Sequence, residues 1–120
     1  MKKILIAEDE EPLAKALHIK LTGNGYDPKI VSNGKDAIEC LQKDKYNLLL
    51  LDIMMPLMDG VEVIQKMRED NIKVPIIVLS NYSQIDSIKK VKDLGVKDYL
   101  VKSNTSLSQI VDKVLDTLKE

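Results

Sequence analysis

Three kinds of side chain in this sequence could do chemistry together: carboxylates, one hydroxyl and one lysine. Glu8, Asp9 and Glu10 follow a short apolar run, Asp52 follows four leucines, and Ser80 and Lys102 each close another apolar run. Carboxylates brought close together repel unless a cation lies between them. Hard oxygen ligands with open positions suit Mg²⁺, which keeps waters and takes only one or two carboxylates directly. Lys102 would add a positive point charge on the other side, and Ser80 a neutral hydrogen-bond donor. Such a site suits an oxyanion that arrives with its metal. Asp52, between cation and lysine, could attack phosphorus and become a mixed anhydride. Phosphoryl transfer needs little beyond positioning, a metal and positive charge on the equatorial oxygens. Taken singly, each residue has an ordinary role. Acidic runs favour helix N-termini, a serine caps, a lysine is solvated. The chemistry depends on what brings them together.

The positioning element is Asn47–Gly60, NLLLLDIMMPLMDG. Four successive leucines without polar alternation read as a strand covered on both faces. A turn on Pro56 and Asp59-Gly60 follows. Asp52 then stands at the C-terminal strand end, where ligands of open α/β sheets bind. Lys3–Glu8 reads as a first strand. A helix with Pro12 in its first turn follows, with Leu13, Ala16, Leu17 and Leu21 as its apolar stripe. Gly23-Asn24-Gly25 stops it. Lys29–Ser32 is a weaker strand nearer a sheet edge, and Ser32 or Asn33 caps a helix carrying Ala37, Ile38 and Leu41.

Asn47–Ile53 is the third strand, and Val61–Glu69 a helix with Val61, Ile64 and Met67 inward. Val74–Ser80 is the fourth strand. Ser83 and Asp86 resemble a capping box for a helix burying Ile85, Ile88, Val91 and Leu94, which Gly95 ends. Asp98–Val101 is a short fifth strand delivering Lys102. The last helix has the strongest periodicity in the chain, with Leu107, Ile110, Val111, Val114, Leu115 and Leu118 at steps of three and four. Five strands alternating with five helices give an α/β class with a parallel sheet. Right-handed crossovers and the three most apolar strands at the centre favour order 2-1-3-4-5, a doubly wound, flavodoxin-like (βα)5 fold. The first and third strands are then neighbours, and Asp9 approaches Asp52 across the switch point.

With 120 residues the chain suits one domain, 1–120. A formal net charge of −1 gives no drive toward nucleic acid or anionic membrane. A single cysteine, Cys40, excludes an internal disulfide, and no apolar run reaches membrane-spanning length. Met1-Lys2-Lys3 leads into too short an apolar run for a signal peptide. The expectation is a reduced, cytoplasmic, soluble domain, either standing alone or cut from a longer protein.

The order acid-acid after strand one, DIMMPLMDG at Asp52–Gly60, serine after strand four and lysine after strand five resembles the response-regulator receiver domain. The resemblance runs from Lys3 to Lys119. It implies that Asp52 receives a phosphoryl group from a phosphohistidine on a sensor histidine kinase or phosphotransfer domain. It implies Mg²⁺ held by Asp9, Asp52 and the Met54 backbone carbonyl, with Glu8 acting through water. Ser80 and Lys102 would bind phosphoryl oxygens. Tyr99 matches an aromatic switch that turns inward as the serine moves. The implied output is the face of the fourth helix, fifth strand and fifth helix, read by an output domain, a downstream protein or a second copy in a phosphorylation-dependent dimer. Self-phosphorylation and self-dephosphorylation are implied, rather than turnover as an enzyme.

Two residues depart from the pattern. Asn81 stands where receivers carry a very small residue, so it either turns outward or narrows access. Ser103 stands where they carry a proline after a cis bond. A cis bond before serine costs roughly 2.5–4 kcal/mol, so a trans bond and a re-routed loop are expected, with Lys102 still reaching Asp52.

Three rival readings compete with this one. A phosphorylation-independent interaction module on the same fold has no use for the acids, Asp52 and Lys102. A flavodoxin-like cofactor binder wants a Gly/Ser/Thr-rich phosphate loop after strand one, where Glu8–Glu11 would repel. An aspartate-nucleophile phosphatase needs a second acid two residues on, where Met54 stands. His18 reads as a flank of the first helix, and Cys40 as a small apolar residue. Lys89, Lys90, Lys92 and Lys97 form a basic patch that could steer an acidic partner.

Overall fold

A computed structural model describes residues 1–81 and 85–119, and the side chains of all of these except 85–88. The strands are β1 (Lys3–Ala7), β2 (Asp27–Val31), β3 (Leu48–Asp52), β4 (Ile76–Ser80) and β5 (Asp98–Val101). The helices are α1 (Glu11–Gly23), α2 (Gly34–Lys43), α3 (Gly60–Glu69), α4 (Ile85–Asp93) and α5 (Leu107–Leu118). All strands are parallel, in order β2-β1-β3-β4-β5. This is the expected doubly wound, flavodoxin-like sheet.

Period-two alternation along the central strands divides the apolar residues between two cores. Leu5, Leu49, Leu51, Ile76 and Val78 face Ala37, Ile38, Ile64, Met67 and Val91 of α2, α3 and α4. Ile4, Ile6, Leu48, Leu50, Ile77 and Leu79 face Ala14, Leu17, Leu21, Ile110 and Val114 of α1 and α5. Every residue of β3 and β4 is buried, as a sheet covered on both faces requires. The β5 residues are only half-buried, for this strand lies at the edge.

Several local expectations shift. In α1 the inward alanine is Ala14; Ala16 is half-buried, off the line joining Leu17 and Leu21. In α3 Val63 is buried and Val61 half-buried. β2 starts at Asp27 and includes Pro28, which an edge strand tolerates because one row of its amides has no ladder partner. Asn33, rather than Ser32, caps α2, its side chain accepting from the Asp36 amide. Val91 is buried as expected, whereas Leu94 is only half-buried, one residue past the end of α4. The Ser83–Asp86 pair and the inward placement of Ile85 and Ile88 lie outside the described residues.

Two glycines seat the loop between β3 and α3. The Gly60 amide donates to the Ile53 carbonyl at 2.7 Å, closing the loop on itself, and a Cβ on Gly60 would lie 2.7 Å from the Asp52 carbonyl oxygen. A Cβ on Gly34 would collide with the Met58 carbonyl, so the first turn of α2 presses directly on that loop. Gly34→Ala must push backbone rather than a flexible side chain. It should cost on the order of 2–3 kcal/mol, read as a lower urea midpoint with unchanged slope.

Candidate functional site

The C-terminal strand ends carry the residues picked out by chemistry. β1 delivers Glu8, Asp9 and Glu10; β3 delivers Asp52, β4 Ser80 and β5 Lys102. Because β1 pairs with β3, the carboxylates converge: oxygens of Glu8, Asp9 and Asp52 lie within 4.8 Å of one another. Glu8 and Asp52 are buried and Asp9 is exposed, so this cluster opens to solvent on one side. Two buried acids and one exposed acid suit a hard divalent cation that keeps part of its water shell.

Lys102 enters from the other side. Its Nζ lies 3.2 Å from Asp52 Oδ2, 2.7 Å from Glu8 Oε1 and 3.2 Å from Glu10 Oε2. The Asp52–Lys102 approach is the expected one. The pairings with Glu8 and Glu10 are additions, because a strand's apolar pattern fixes where it ends but not which acid of the following run turns inward. Asp52 Oδ1 accepts from the Met54 amide at 3.3 Å. Burial and the neighbouring Glu8 carboxylate push the Asp52 carboxyl up to about 8, against the opposing pull of Lys102. The Ser80 hydroxyl is fully buried and has no hydrogen-bond partner among the described residues. A buried hydroxyl without a partner is uncommon.

The Lys102–Ser103 bond is trans. Lys102–Asn104 forms one 3-10 turn, held by the Thr105 hydroxyl donating to the Val101 carbonyl at 2.8 Å. From this turn the lysine keeps its reach to Asp52. Asn81 is exposed. Tyr99 is half-buried on β5, next to Val78 in register, and Lys92 Nζ sits 4.6 Å from its ring centroid. The basic patch therefore contributes a cation–π contact.

The sequence matches the family model of the response regulator receiver domain over residues 4–115. The chain belongs to that family. It is 34% identical over 102 residues to the transcriptional regulatory protein PcoR of Escherichia coli, covering 85% of this chain and 45% of that protein. The chain spans less than half the length of the curated relatives it matches. Among solved structures it superposes on the Francisella response regulator 1452 receiver domain with a TM-score of 0.88 and 31% identity, covering 99% of this chain and 98% of that one. The receiver domain of the sensor histidine kinase PA1611 from Pseudomonas aeruginosa has a TM-score of 0.86 and 22% identity, a likeness of fold. It covers 99% of this chain and 98% of that one, and that protein holds a magnesium ion in its active-site cleft.

In this receiver the loop after Asp52 stores strain. Leu57 has φ of 69° and is 77% exposed, and the Met58 amide donates to the Pro56 carbonyl at 2.8 Å across it. That is a γ-turn in the left-handed region, which disfavours any side chain with a Cβ. Asp59, three residues before Glu62, forms a full capping box, so that acid serves the α3 N-terminus. Leu57→Gly should therefore stabilise the fold by about 1 kcal/mol, after the added freedom of the unfolded chain is subtracted. Chemical denaturation measures it, and a loss of stability would show that Leu57 is held by packing.

Proposed function

We propose that this receiver, residues 1–120, accepts a phosphoryl group onto Asp52 from the phosphohistidine of a sensor kinase or phosphotransfer domain, in a Mg²⁺-dependent reaction. The observation that carries the reading is the placement of Asp52. It is buried and bonded to Lys102 by one oxygen, and it stands within metal-sharing distance of Glu8 and Asp9. The magnesium ion of the PA1611 receiver domain supports the choice of cation.

Asp9, Asp52 and the Met54 carbonyl would hold the ion directly and Glu8 through water. When bound, the ion neutralises charge on the phosphoryl oxygens. An Asp52 oxygen attacks phosphorus in line with the leaving imidazole. The new O–P bond forms as the P–N bond breaks, and the imidazole departs with the electron pair and takes up a proton. Lys102 binds one phosphoryl oxygen as a point charge, and Ser80 donates its spare hydrogen bond to another. Attack by water on the phosphorus of the acyl phosphate later breaks the O–P bond, releasing inorganic phosphate and returning the Asp52 carboxylate, so the domain resets itself.

Drawing Ser80 toward the phosphoryl group frees space beside Tyr99, which lies on the neighbouring strand two register positions back. The ring turns inward and the α4–β5–α5 face is rebalanced, a population shift between two packings. A downstream protein, an output domain or a second copy reads that face. The domain itself makes no contact with nucleic acid or membrane. Among the described residues no helix is long and apolar enough to cross a membrane, and we read the domain as cytoplasmic.

Incubation with acetyl phosphate and Mg²⁺ should add one phosphoryl group, and chelation should prevent it. Amide NMR shifts should concentrate between Ser80 and Lys102. Shifts confined to the loop between β3 and α3 would remove the switch from this reading.

A further inference from the structure

The Lys102 ammonium has three N–H donors, and three carboxylates surround it: Glu8 at 2.7 Å, Asp52 at 3.2 Å and Glu10 at 3.2 Å. Of the three contacts only the one to Glu10 has hydrogen-bond geometry, so an oxyanion that is to meet this ammonium competes with Glu10 first. The Glu8 side chain is wholly buried, so losing the lysine would strand its charge in the core. Asp52 is the acceptor itself. Glu10 is 53% exposed, and water can take over its carboxylate at small cost.

The helix beside it gives an independent sign. Glu10 is the N-cap residue of α1, yet its side chain makes no capping hydrogen bond. An oxygen at this position ordinarily accepts from an amide of the first turn, and Asp, Asn, Ser or Thr supplies it. Here the longer glutamate reaches to Lys102, while its own amide donates to Glu8 Oε2 at 3.0 Å. The side chain serves the lysine at the expense of its own helix.

We propose that Glu10 is a positioning residue: a detachable carboxylate that holds Lys102 in the resting site and is replaced there by the incoming phosphoryl oxygen. The inference rests on the phosphoacceptor reading above. It makes Glu10 a brake, since the phosphoryl group gains Lys102 only net of this contact.

The test is Mg²⁺-dependent binding of beryllofluoride, a phosphoryl mimic, followed by fluorine NMR on the wild type, Glu10→Gln and Glu10→Asp. Glutamine removes the charge. Aspartate keeps it on a side chain one methylene shorter, which suits the helix cap and releases Lys102. Both variants should bind about two- to fivefold more tightly, the range of a half-exposed ion pair, with thermal melts confirming that each is folded. Mg²⁺ affinity measured alone by calorimetry should be unchanged in Glu10→Asp. A gain in Glu10→Gln only would trace the effect to repulsion at the site's mouth and overturn the Lys102 contact as its cause. Equal affinity in all three proteins would overturn it as well. If the wild type takes up no beryllofluoride, the phosphoacceptor reading fails first and this inference falls with it.

Discussion

Asp52→Asn should abolish phosphoryl uptake from acetyl phosphate, a rate loss of at least about two orders of magnitude. The replacement keeps the shape and the hydrogen bond from the Met54 amide, but removes the nucleophilic oxygen and one charge from the metal cluster. The nearby acids cannot substitute. Glu8 is buried against Lys102 at 2.7 Å, Glu10 is drawn to the same ammonium, and Asp9 makes no ion pair with Lys102 among the described residues. Mass spectrometry of the intact protein reads the result directly. A phosphoryl group still present on the variant would place the acceptor on one of those three acids and overturn the assignment of Asp52.

The same substitution should have a large and opposite effect on stability when no metal is present. The Asp52 carboxyl is pushed up to about 8 in the fold from an ordinary value of 3.8. A group raised on folding contributes fully below its unfolded pKa, and its contribution is lost as pH rises through the folded one. The metal-free wild type therefore loses stability from this group between about pH 4 and pH 8. A pKa displaced by one pH unit is worth about 1.4 kcal/mol, so the whole effect is on the order of several kcal/mol. Asp52→Asn escapes it. The two proteins should melt together near pH 4, and the variant should melt higher by roughly 10 °C at pH 8. Adding Mg²⁺ should narrow the gap by stabilising the ionised wild type. Parallel melting curves at every pH would mean that Asp52 is ionised in the fold throughout, with Lys102 outweighing burial and Glu8.

The fold was legible where burial leaves a pattern. Leu48–Leu51 and Ile76–Leu79 carry no polar alternation, which only strands covered on both faces tolerate, and so the central strands and their order could be read. Asp27-Pro28 was less legible, because proline argues against a strand unless the strand is already known to lie at an edge. Ala14 and Ala16 both lie close to the α1 stripe, and only packing against the sheet separates them. In the site, the Asp9–Asp52 approach followed from strand order, and the reach of Lys102 to Asp52 from the length of its side chain. The hold of Glu8 and Glu10 on Lys102 did not, since those acids follow the strand, where alternation no longer fixes direction. The contact of Gly34 with Met58 joins segments far apart in the chain, and no local pattern announces it.

The uneven burial of the sheet has a consequence for how the site meets the rest of the molecule. Asp52 ends a strand with every residue buried, whereas Lys102 follows a strand with every residue half-buried. Expressed as local opening equilibria, the sheet is graded. Amides of β3 and β4 should exchange with solvent only through near-global unfolding, and those of β5 through far smaller excursions. The Asp52–Lys102 pair is thus a seam between a part of the protein that cannot yield and a part that can. When the charge at Asp52 changes, the resulting imbalance should be relieved on the β5 side. Slow exchange at Leu50 beside faster exchange at Leu100 would be the trace of that asymmetry, present before any phosphoryl group arrives.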